Sequence, residues 1–138
     1  MNIVIIDGQG GGLGRQLTEL VLARFPEAEL TCIGVNSAAS AAMHKAGAAR
    51  VATGENAVIV AARRADVILG PLGIVIADAL LGEITPAMAL AVGQSAAQRI
   101  LLPVSHCNSQ VAGVPEQSVS SLLEDAMRRL AKLANARE

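Results

Sequence analysis

The stretch "DGQGGGLG", Asp7 to Gly14, joins residue types that handle phosphate to one that repels it. Glycine lets a chain turn with positive φ, lets backbone approach a phosphate closely and lets a helix pack near a strand. A helix that follows such a loop aims unpaired N–H groups at an anion. Gly8, Gln9, Gly10, Gly11, Gly12, Leu13 and Gly14 are therefore candidate nucleotide-binding residues; the alternative is a close helix–strand contact with no ligand. Asp7 is out of keeping, because a carboxylate 4 Å from a phosphate repels it by about 1 kcal/mol in bulk water and about 4 kcal/mol at surface-like screening. The charge is tolerable if Asp7 turns inward to accept N–H bonds from the loop, or if Mg²⁺ bridges the two. Loop bracing is the favoured role.

The spacing of Gly8, Gly12 and Gly14 resembles the T-G-x-x-x-G-x-G loop of short-chain dehydrogenases/reductases, with Asp7 in place of the threonine. An NAD site of this kind carries Asp or Glu after the second strand to hold the ribose hydroxyls. Here that position reads "GVNSAAS", so Asn36, Ser37 and Ser40 are the ribose candidates, with Lys45 further on. The pattern suits NADP or a mononucleotide better than NAD. The catalytic Tyr-x-x-x-Lys of those reductases is impossible in a chain without tyrosine.

Other polar residues fall where strands end, which is where open α/β sheets bind ligands. They are Thr53, Gly54, Glu55 and Asn56 in "TGENA", Gly70 and Pro71 in "GPLG", and Ser105, His106, Cys107 and Asn108 in "SHCN". Thr53, Gly54, Asn56, Gly70, Pro71 and Asn108 join the candidate binding set, although each also serves as a cap, a first-turn residue or a strand stop. Asp7, Glu55 and Cys107 are weak candidates for catalysis. Cys107 stands beside a possible base, His106, but adjacent strand residues point to opposite faces, and a plain rim thiol is the favoured reading. Cys32 lies mid-strand as core, and His44 is a solvated helix residue. No Cys/His spacing suggests a metal site.

The elements that must position these residues alternate. β-Branched or apolar runs predict strands at Asn2–Asp7, Glu29–Val35, 49–54, Asp66–Gly70 and Arg99–Val104. Helical spacing and capping signals predict helices from the glycines to Phe25, over 36–47 and 55–65, a short one over Ile74–Leu81, and one from Thr85 to about Gln98. A last helix begins near Ser121 with Glu124 as its capping box. "QVAGV", Gln110–Val114, follows the fifth strand too closely for a parallel crossover, so an antiparallel edge strand is expected there. The expected fold is one α/β domain over residues 1–138. It is a Rossmann-like, three-layer αβα sandwich on a mostly parallel sheet.

Composition narrows the function classes. A net charge of −1 and a single aromatic residue, Phe25, leave neither the basic footprint nor the stacking surface of a nucleic-acid binder. No apolar run approaches the ~20 residues of a membrane span, and no basic n-region marks a signal peptide. Two cysteines without a secretory context fit reduced thiols in the cytoplasm. A hydrophobic content of 52% with 17% charge suggests a helix face buried in a homo-oligomer.

Together "IDGQGGGLG", "AGAARVATGENA", "ADVILGPLGI" and "GEITPAMA" resemble an uncharacterised bacterial family, domain of unknown function 3842, over nearly the whole chain. The resemblance implies a cytoplasmic Rossmann-like protein and supplies no catalytic residues. Three functions are expectations at this point: binding of an NADP-type nucleotide at the glycine loop, a non-enzymatic sensor or accessory subunit using the same rim, and a small enzyme acting there.

Overall fold

The computed structural model describes residues 1–104 and 108–137. The run "NIVIID" forms β1 (Asn2–Asp7), buried on both faces almost throughout. It lies at the centre of the sheet, as an unbroken β-branched strand should. β2 (Glu29–Gly34) and β4 (Val67–Pro71) pair with it on either side, and β3 (Arg50–Thr53) and β5 (Gln98–Leu102) form the edges. All pairings are parallel, in the order β3-β2-β1-β4-β5, with Ile5 opposite Cys32 on one side and Leu69 on the other.

Successive β1 residues feed opposite cores. Ile3 and Ile5 meet Leu17 and Val21 of α1 (Gly12–Arg24), Met43 of α2 (Ser37–Lys45) and Leu123, Met127 and Leu130 of α5 (Val119–Ala136). Val4 and Ile6 join Val58 and Ala62 of α3 (Glu55–Arg64) and Met88, Ala89 and Val92 of α4 (Pro86–Gln94). The chain winds outward from β1 through β2 to β3, then returns to β4 and continues the other way. Right-handed crossovers put α1 and α2 on one face and α3 and α4 on the other, and α5, after the last strand, returns to the face of α1 and α2. The loops after β1 and β4 thus diverge and leave a crevice between them, the usual ligand position in such sheets.

Three expectations are corrected. Gln110–Val114 is not an antiparallel strand: Gly113 has φ 81°, the Val114 N–H closes a turn onto the Val111 carbonyl, and the segment is exposed. Left-handed Gly113, followed by Pro115, is incompatible with an extended ladder partner. Ile74–Leu81 is not a helix. A 3-10 turn over Leu72–Val75 gives way to tight turns in which Asp78, Leu80 and Leu81 have φ of 67°, 56° and 58°. This path lays both Leu80 and Glu83 on Gly8, where a β-carbon would stand 2.9 Å from each. Finally, α5 starts earlier, because the Ser118 hydroxyl accepts the Ser121 N–H, while Glu124 pairs with Arg24 at 2.6 Å instead of boxing the cap.

Candidate functional site

Asp7 and the loop Gly8–Leu13 line one wall of the crevice, and Pro71, Leu80 and Val104 line the other; its volume is about 110 Å³. α1 begins at Gly12, directly out of the loop. Among the described residues no acceptor pairs with the N–H of Gly10, Gly12 or Leu13. Three donors at a helix start therefore open toward the switch point of the sheet, which is an anion-binding arrangement.

The five glycines of the loop divide by what requires them. A β-carbon on Gly8 would meet Val35, Glu83 and Leu80, and one on Gly14 would sit 2.8 Å from both the Asp7 β-carbon and the Met43 sulfur. Gly11 has φ 74° and would strike the Ala39 backbone at 2.7 Å. These three are demanded by the fold. Gly10 and Gly12 are not: neither has positive φ, and a β-carbon on either would meet nothing within 4 Å.

Asp7 is 6% exposed and turned into the loop. Its two carboxylate oxygens accept the N–H groups of Gly8 at 2.8 Å and Gly14 at 2.6 Å, the bracing role expected from the sequence. Burial raises its pKa above the ordinary carboxylate range; the two N–H bonds pull it down, and the nearby charge of Glu83 adds to the rise. Behind it, the buried Thr18 hydroxyl donates to the Gly14 carbonyl at 2.7 Å and lies 3.4 Å from the Cys32 sulfur. The loop is thus held from below by side chains of α1, β1 and β2.

A residue with no local signal in the sequence closes the other side. Glu83 accepts the Gln9 N–H at 2.6 Å and a side-chain N–H of Asn36. Asn36 also donates to the Gln9 carbonyl at 2.9 Å, and its own oxygen caps α2 by accepting the Ala39 N–H. Gln9, with φ 48°, is clamped at both backbone groups. Glu83 reaches this point across 74 positions of sequence, so only the turns after β4 could reveal it.

The remaining candidates scatter. Ser37 is exposed at the start of α2, and Lys45 is the last residue of that helix, about 12 Å further along at 1.5 Å per residue. Thr53, Gly54, Glu55 and Asn56 stand at the end of β3, beyond β2; Thr53 bonds the Ser40 hydroxyl at 2.6 Å and Glu55 accepts from Thr85. Gly70 serves packing, since a β-carbon there would strike the Ile6 carbonyl at 2.4 Å, while Pro71 lines the crevice. Asn108, with φ 56°, borders a broader cleft of about 1020 Å³ with Leu72 and Val104. Ser105, His106 and Cys107 lie outside the described residues. Among the described residues no group of three or more His, Cys, Asp or Glu is placed to hold a metal, and no helix is long and apolar enough to cross a membrane.

Residues 2–135 match the model of a family described as a domain of unknown function (DUF3842), and the chain belongs to that family. No curated protein and no solved structure matches it.

Proposed function

From that membership, which brings no activity with it, we propose that the chain binds a phosphate-bearing nucleotide, its phosphate resting on the N–H groups of Gly10, Gly12 and Leu13. The observation that carries this reading is the pair of glycines the fold does not need. At Gly10 and Gly12 neither positive φ nor crowding calls for glycine, and close approach of a ligand is the remaining physical reason for it. The crevice volume is below the roughly 300–1,000 Å³ of a whole-ligand pocket. It suits one phosphate group, with the rest of the molecule along the rim.

Among the described residues no Lys or Arg lines the crevice, so attraction comes from the amides and the positive end of α1. The repulsion of Asp7 is blunted because its oxygens face Gly8 and Gly14. Dinucleotides of the NAD and NADP types and mononucleotides all meet this core requirement, which concerns the backbone phosphate and not the ribose substituent. A second reading, an accessory module that meets a partner or a second copy of itself at the rim, is favoured by Leu81, 96% exposed beside Glu83.

The test is a calorimetric panel of NAD, NADP, FAD, ATP and GTP, with and without Mg²⁺. A bound nucleotide at 100 times its dissociation constant stabilises the fold by about 2.7 kcal/mol, visible as a melting shift. Gly12→Val should abolish binding while the protein stays folded, because the side chain projects into open space. If wild type responds to no nucleotide at millimolar concentration, the accessory reading takes its place.

A further inference from the structure

We propose that Glu83 is the ribose acceptor of this site, and that it selects nucleotides with a free 2′,3′-diol. The inference rests on the nucleotide reading above. In sheets of this kind the acidic residue that holds the ribose stands at the end of the second strand, beside the glycine loop. β2 here ends at Gly34 and is followed by Val35 and Asn36, with no acid. The structure brings a carboxylate to the same place from another element: Glu83, from the turns before α4, bonds the second residue of the loop and the residue that caps α2.

The chemistry of the carboxylate fits that task. An ionised carboxylate offers about four acceptor positions, and Gln9 and Asn36 occupy one on each oxygen. About two are left for the two donors of a ribose diol. Glu83 is half-buried, so it is held in place yet reachable from the rim. The clamp on Gln9 points the same way. A non-glycine residue at φ 48° is an uncommon conformation, kept here because both its N–H and its carbonyl are tied to the Glu83–Asn36 pair. The device that holds Glu83 still is thus the one that shapes the phosphate loop.

Charge sets the sign of the selectivity. A 2′-phosphate would be placed against Glu83, with Asp7 behind the loop and, among the described residues, no cation lining the crevice. His44 and Lys45, the basic residues of α2, sit in the last turn at the far end of that helix. A 2′-deoxy sugar would remove one donor and leave an acceptor position unfilled. Both changes should weaken binding relative to the parent nucleotide.

The experiment titrates wild type and Glu83→Gln with two pairs of nucleotides, NAD against NADP and ATP against 2′-deoxy-ATP. Wild type should bind the first of each pair about tenfold tighter or better, the effect of about 1.4 kcal/mol. Glu83→Gln should bring each ratio to within about threefold, because the neutral amide no longer repels the 2′-phosphate and accepts one donor fewer. Equal affinities in wild type, or ratios unchanged in Glu83→Gln, would overturn the role of Glu83 while leaving nucleotide binding in place. Absence of binding by any nucleotide to wild type would overturn the underlying reading as well. Should Glu83→Gln fail to fold, the wild-type ratios alone decide.

Discussion

Asp7 carries a buried charge whose two partners are backbone N–H groups of the loop it supports. Asp7→Asn keeps the shape but turns an NH₂ group toward one of those N–H donors. One amide then loses its acceptor, which costs about 1–3 kcal/mol. Nucleotide binding should weaken with it, since the loop is no longer braced. The pH dependence has a definite sign. Because burial raises the Asp7 pKa in the folded state, this group favours folding most when protonated, and that contribution fades as pH rises through the elevated value. Wild type should therefore gain stability relative to Asp7→Asn as the pH is lowered from 7 toward about 4, measured by urea denaturation. A gap that narrows over this range would contradict the placement of Asp7. Gly14→Ala gives a sharper contrast. Its β-carbon would sit 2.8 Å from Asp7 and Met43, so a loss of about 2 kcal/mol or more is expected, whereas Gly10→Ala and Gly12→Ala should be close to neutral. Cys32 supplies a third check: burial pushes its thiol up to about 11 against the pull of Thr18. In a Cys107→Ser background no native labelling by a thiol reagent is expected at pH 8, and full labelling on unfolding.

At the scale of elements, the segment between β4 and α4 departs furthest from regular geometry. Leu80 and Leu81 both occupy the left-handed region, which costs a residue with a β-carbon roughly 1–2 kcal/mol. Leu80 is buried against Gly8 and uses its conformation, but Leu81 stands 96% exposed and gains no packing in return. Leu81→Gly should then raise stability by about 0.5–1 kcal/mol after the added unfolded-state entropy of glycine. The melting temperature should rise by roughly 2–4 °C. A fall would mean that Leu81 packs on something in solution, the outcome the accessory reading expects. This segment also marks where the sequence stops being readable. β1, the glycine loop and the Thr85–Pro86 start of α4 follow from local signals: a β-branched run, a glycine cluster, a cap followed by proline. Apolar spacing over Ile74–Leu81 looks helical because it cannot show that Leu80 must reach Gly8. The same blindness hides Glu83, whose partners are 74 and 47 positions away, and "QVAGV", where apolar residues suggest a strand although Gly113 forbids one.

For the whole molecule, the order β3-β2-β1-β4-β5 puts the earliest of these five strands in the middle of the sheet. β2 can pair with β1 soon after both are made, but β4 follows β1 by roughly sixty residues, or about 3–12 s at ordinary rates of translation. Throughout that interval one edge of the Ile3–Ile6 run has no partner, and an apolar open edge is a template for pairing with other chains. Nascent chains arrested before Val67 emerges should be protease-sensitive and should engage holdase chaperones; chains in which β4 has emerged should lose both properties. Protection already complete in the shorter chains would mean that β1 is sheltered some other way. The position that gives the glycine loop its rigid base in the finished protein thus makes the growing polypeptide depend on translation speed, and slow codons between β3 and β4 would lengthen its most vulnerable moment.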